Sequence, residues 1–183
     1  MQCPTCKDQP LLPTKLEEQL PANGCRQCQG ALLPLLTYRQ WAETYSAKTS
    51  PPVCEVSEET DAADNGNAIV CPKCSGFMTK FRINNDTDNR VDLCGSCDEA
   101  WLDSGEWQLL KQLEMQHKLN NIFTEEWQRR VRQDQTREHF RSEYEQLFGE
   151  DYNHLQEFRL WLEDHPKKAS MLRYLNNSDP YQA

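Results

Sequence analysis

The chain has 183 residues, of which 37% are hydrophobic and 27% charged, and it carries a formal charge of -9. That polarity excludes one large apolar core, while five Trp, six Tyr and six Phe argue against a disordered chain. The acidic balance excludes general binding of phosphate backbones, which needs clustered Lys and Arg. Small modules that need help to stay folded fit these totals.

Nine cysteines are the informative number. The chain starts MQCPTC, with no basic or apolar leader, and no window approaches a membrane span. The expectation is a cytoplasmic protein with reduced thiols, where such a pattern means metal or catalysis rather than disulfides.

In chain order, the first feature is Cys3 and Cys6, then 18 residues, then Cys25 and Cys28. After it, Ala31-Leu32-Leu33 leads into a predicted helix with Pro34 in its first turn and Leu35, Tyr38, Trp41, Ala42 and Tyr45 on one face. Residues 48–68 hold two prolines, five acids and few apolar residues, and read as an extended linker between two independently folding units. Cys54 lies in this linker and reads as an ordinary exposed thiol.

A second set then repeats the first: Cys71 and Cys74, 19 residues, Cys94 and Cys97. Between its halves, 78–83 and 90–93 read as strands joined by the polar turn 84–89. Past Cys97, Ala100-Trp101-Leu102 matches Ala31-Leu32-Leu33, so the repeat includes what packs beside the ligands. Asp103 and Glu106 form a capping-box-like start to a helix predicted over 104–119, with Trp107, Leu110 and Leu113 at threes.

The last third predicts helices only. One begins near Thr124 and is closed by Gly149, one stops before Pro166, and one has Pro166 in its first turn and ends at Asn176-Asn177. Their apolar stripes (Phe140, Tyr144, Leu147 and Phe148; Leu155, Phe158, Trp161 and Leu162; Met171, Leu172 and Leu175) are expected to pack as core, on one another or on the second ribbon, with a partner surface as the alternative.

Two Cys-x-x-Cys turns, each pointing both sulfurs to one side, complete a tetrahedron around a cation. The repeat therefore predicts two structural sites: Cys3, Cys6, Cys25 and Cys28, then Cys71, Cys74, Cys94 and Cys97. Two Zn2+ ions are the expected cofactors. Iron in a rubredoxin-like site is the rival, disfavoured because rubredoxins usually separate their pairs further. Four thiolates fill the coordination shell and leave no position for an activated water, so no enzyme is expected.

The run Cys94-Gly95-Ser96-Cys97-Asp98-Glu99-Ala100-Trp101-Leu102-Asp103-Ser104-Gly105-Glu106 resembles the bacterial family of transcription-factor-IIB-type zinc ribbons (transcription factor zinc-finger family). The resemblance covers residues 70–113, and 1–45 look like a degenerate copy with Gly30 kept and Leu32-Leu33 for Trp-Leu. It implies a zinc-binding fold and, by name only, a link to transcription. Glu99 stands where the family has glycine, which would alter the turn or expose a charge.

Other residues carry weaker signals. Trp101 is expected to pack the ribbon on its following helix, and with Trp107 is also a candidate interaction residue. Arg129, Arg130 and Arg132 are the best nucleic-acid candidates, although interleaved acids make a solvated face the plainer reading. His117, His139, His154 and His165 show no ligand pattern.

The fold expected is a small metal-bound α+β protein: two zinc ribbons, each a β-hairpin plus helix, followed by an all-α C-terminal tail. The boundaries are 1–47 for the first ribbon and its helix, 48–68 for the linker, 69–120 for the second ribbon and its helix, and 121–179 for the helical region. The leading functional expectation is a zinc-binding, non-catalytic adaptor that binds protein, with no membrane partner and a homo-oligomer left open. The alternatives are nucleic-acid binding or transcription regulation and, more weakly, redox or zinc sensing.

Overall fold

The computed structural model describes residues 1–46, 62 and 64–181. Most of the expected linker, and Cys54 with it, lies outside them. Two compact units result, Met1–Asp134 and Gln135–Ala183.

In the first unit, each cysteine set builds three antiparallel strands. The first set gives β1 (Leu12–Glu17), β2 (Leu20–Gly24) and β3 (Ala31–Pro34), followed by helix α1 (Leu35–Ser46). The second gives β4 (Thr79–Arg82), β5 (Arg90–Cys94) and β6 (Glu99–Leu102), followed by α2 (Glu106–Gln112). β4 and β5 take up the two predicted strands, with the polar turn between them.

The third strand of each copy was not anticipated, and it removes the expected independence of the copies. β3 pairs with β6, so the six strands form one sheet ordered β1-β2-β3-β6-β5-β4. The register is self-complementary: Ala31 faces Leu102, Leu33 faces Ala100, and Leu32 faces Trp101. Equivalent positions of the repeat thus exchange places about Leu32 and Trp101, as in the isologous interface of a two-fold dimer.

Alternation along these strands divides the core. Ala31, Leu33, Ala100 and Leu102 join Leu35, Tyr38 and Trp41 of α1 and Trp107, Leu109 and Leu110 of α2 in one cluster. Leu32 and Trp101 join a second cluster with Cys3, Cys25, Cys71 and Cys94. One set of strand positions therefore packs with helices, and the other with the cysteines.

The helix predicted over 104–119 ends early, at Gln112. Glu114 takes a left-handed φ of 54°. Met115 N–H then reaches Leu110 O at 2.7 Å, and Glu114 N–H reaches Lys111 O at 3.0 Å. This is a Schellman closure built without glycine, with Leu110 and Met115 buried at its apolar contact. Short helix α3 (Leu119–Ile122) follows. The buried Tyr38 hydroxyl fixes this segment, donating to Gln116 O at 3.0 Å and accepting Leu119 N–H at 2.9 Å.

Helix α4 (Glu125–Phe148) begins in the first unit and continues into the second. Its start is tied to β4 and the residue after it: Trp127 Nε1 donates to Ile83 O at 2.9 Å and Gln128 Nε2 to Arg82 O at 2.8 Å. Gly149, at φ 53°, closes it as expected. α5 (Tyr152–Glu163) and α6 (Lys168–Asn176) complete the second unit.

The apolar stripes of these helices do not form the expected core. Among the described residues of the second unit, Leu162 is the only buried hydrophobic one, whereas Leu147 is 72% and Trp161 56% exposed. The apolar stripes of α4, α5 and α6 thus stay largely exposed among the described residues.

Candidate metal centres

All four Cys-x-x-Cys turns close in the same way. The residue after the second cysteine returns its N–H to the carbonyl of the first: Lys7 to Cys3, Gln29 to Cys25, Ser75 to Cys71 and Asp98 to Cys94, at 2.8 to 2.9 Å. Those residues have φ values of 61°, 60°, 61° and 56°. A left-handed residue at this position tightens each loop so that backbone N–H groups converge on sulfur. Cys6 N–H lies 3.3 Å from Cys3 Sγ, and Lys73 N–H 3.4 Å from Cys71 Sγ.

The four turns bring the eight cysteines together as two groups, Cys3, Cys6, Cys25 and Cys28, and Cys71, Cys74, Cys94 and Cys97. Within each, all sulfurs lie within 4.8 Å of one another. Separations of 3.5 Å (Cys3–Cys28), 3.9 Å (Cys6–Cys25) and 3.5 Å (Cys74–Cys94) bracket the value expected for a tetrahedral site. That value is about 3.8 Å, the edge of a tetrahedron with bonds of about 2.3 Å to sulfur. Both groups could hold a metal ion.

The thiols of each group differ in acidity. Burial raises Cys25, but the N–H groups of Cys28 and Gln27 outweigh it and bring the thiol down to about 7. Gly76 N–H, with thiol contacts from Cys97 and Cys94, brings Cys74 down to about 7. Their neighbours move the other way: burial pushes Cys28 up, and contact with Cys74 followed by burial pushes Cys97 up to about 12. Crowded sulfurs can ionise together only if a cation replaces their protons, which a metal does.

Trp101 binds the two centres into one layer and corrects its expected role. It is fully buried with the cysteines and Leu32, rather than packed on its following helix, and it offers no contact surface. Its ring explains Gly30, where a Cβ would lie 2.4 Å from Trp101 Cζ2. Trp107 is buried too, edge-on to Trp41 at 5.6 Å, with Nε1 donating to Glu17 at 3.1 Å.

Glu99 neither breaks the turn nor exposes a charge. It is buried in β6, with Oε1 accepting from Lys73 Nζ at 2.8 Å. The Cys97 turn is also tied to the other copy, because Arg39 of α1 makes a two-pronged ion pair with Asp98 at 2.6 and 3.0 Å.

Arg129, Arg130 and Arg132 stand exposed on α4, with Arg130 over the Trp127 ring at 5.3 Å. His117 stacks on Trp41 at 5.0 Å, and burial lowers its pKa. His139 has an i,i+4 partner in Glu143 at 3.5 Å.

A third group was not foreseen: Asp64, Asp103 and Glu106 each place a carboxylate oxygen within 4.8 Å of the others. The 103–106 pair was visible as half of a capping box, but nothing in the sequence brings Asp64 to it.

No family model, curated protein or solved structure matches this chain.

Proposed function

We propose that the chain is a non-catalytic zinc-binding ribbon protein that acts as a protein-interaction adaptor. Four thiolates per site favour Zn2+, whose structural sites are commonly all-cysteine and closed. The 94–106 run, with its likeness to transcription-factor-IIB-type ribbons, supports the same ion. A closed shell leaves zinc no water to activate, so the metal's role is to hold the fold. Thiolate ligands suit a reducing compartment such as the cytoplasm.

One observation carries the adaptor reading. Twelve of the sixteen exposed large apolar side chains among the described residues fall within 140–181. Exposed apolar surface so concentrated marks a binding face. It includes an open groove of about 650 Å3 lined by Phe140, Tyr144, Phe148 and Leu155 together with Arg137, Arg141 and Arg159. Aromatic and arginine side chains together are typical of protein contact sites.

The test is proximity labelling in the native cell with the full zinc-loaded chain, beside a Phe140→Ser/Leu155→Ser variant. The adaptor reading expects a protein set that the variant loses while zinc content stays the same. Identical labelling by both chains would refute it. A second reading, nucleic-acid binding, is favoured by exposed Arg129 and Arg130 beside Trp127. Absence of any DNA or RNA shift at low salt would remove it.

A further inference from the structure

The two cysteine centres leave one cluster of ligating groups unexplained. Asp64 precedes the second cysteine set, Asp103 follows β6, and Glu106 opens α2, yet their carboxylates converge within 4.8 Å. Asp103 Oδ1 accepts from Trp101 Nε1 at 2.8 Å and Oδ2 from Asn65 N–H at 2.8 Å. Glu106 Oε2 accepts Asp103 N–H at 2.8 Å, which turns its carboxylate toward Asp103. Glu106 is 0% exposed, and its Oε1 has no hydrogen-bond partner among the described residues. A buried, unpartnered carboxylate oxygen is costly, and here it sits among carboxylates rather than cations.

The local negative charge is balanced only by a further cation or by a proton. Asp64 is paired with Arg90 at 2.9 Å, and nearby buried Asp92 with Lys80 at 2.8 Å. Asp103 and Glu106 have no ion-pair partner among the described residues, and burial beside Asp103 and Asp64 raises the Glu106 pKa to about 9, so without an added cation this carboxyl holds a proton that a bound ion would displace. From this geometry we infer a third cation site, formed by Asp64, Asp103 and Glu106, that takes a hard divalent ion of the Ca2+ class. Carboxylate oxygens select hard ions, and oxygens bound at about 2.4 Å span at most about 4.8 Å across a Ca2+ ion. Asp64, partly open to solvent, supplies the route for the ion and its remaining water ligands.

Terbium(III), a hard ion that shuns thiolates, is the probe, because Trp101 is hydrogen-bonded to a ligand and can sensitise its emission. The zinc-loaded full chain is titrated with Tb3+ under tryptophan excitation, then back-titrated with Ca2+. One equivalent of sensitised Tb3+, displaced by Ca2+, is expected. Asp64→Asn and Glu106→Gln should each weaken it by roughly tenfold or more. Asp86→Asn/Asp88→Asn, in the β4–β5 turn, should leave it unchanged. Asp64→Asn alone decides the matter if the buried Glu106→Gln fails to fold. Three results would overturn the site: no sensitised emission, emission that survives Asp64→Asn, or emission lost with the turn variant. An unchanged urea midpoint on adding Ca2+ would count equally against it and leave Glu106 neutralised by a proton.

Discussion

Replacing Gly30 by Ala tests the join between the two repeats. The new methyl would sit 2.4 Å from Trp101 Cζ2 and 3.1 Å from Leu102 O, both in the other copy. Gly30 has no positive φ, so the cost is steric and not conformational. Overpacking a filled core costs about 1–3 kcal/mol, and a rigid indole beside backbone puts this site at about 2–3. Trp101→Phe deletes the atom that clashes. In that background the added methyl should cost about 2 kcal/mol less, a coupling typical of residues in contact. The assay is a double-mutant cycle by urea unfolding at fixed free zinc, because metal binding shifts the midpoint. Gly95→Ala is the control, since a Cβ there meets nothing within 4 Å, and it should change stability by no more than about 0.5 kcal/mol. A Gly30–Trp101 coupling below about 0.5 kcal/mol would mean that the copies do not share a core, and the reasoning about β3 and β6 would fail.

Other outcomes follow from the same contacts. Chelation at pH 7 should abolish the near-ultraviolet circular dichroism of the buried tryptophans, because structural zinc contributes an apparent ~10–16 kcal/mol, more than most domains' net stability. Persistence of that signal in metal-free protein would show that the sheet holds without ions. Tyr38→Phe should cost about 1–3 kcal/mol in urea unfolding by leaving the buried Leu119 N–H unpaired. Burial lowers the His117 pKa, so the folded chain binds this proton less readily than the unfolded one. Its contribution is therefore present above the ordinary histidine pKa of about 6.5 and is lost as pH falls below it. His117→Phe should flatten the decline in melting temperature between about pH 7 and 6, and an equally steep decline would refute this assignment.

The two four-cysteine groups were legible because they are local. Two cysteines with two residues between them must share a turn, and the spacing recurs, so all eight sulfurs could be grouped before any fold was known. The strands of the second hairpin and the closure of α4 at Gly149 were legible for the same reason. The end of α2 was not, because its left-handed residue is Glu114 rather than glycine, and the buried contact between Leu110 and Met115 holds it there.

Contacts between distant segments were decided by tertiary structure alone. Ala31-Leu32-Leu33 and Ala100-Trp101-Leu102 announced a repeat, but only packing could show that they pair with each other and turn Trp101 toward the cysteines. The partners of Glu106 and the exposure of the C-terminal stripes belong to the same class. Spacing along a chain fixes which atoms share a turn or a helix face. What covers that face depends on where the rest of the chain arrives, and no short-range pattern encodes it.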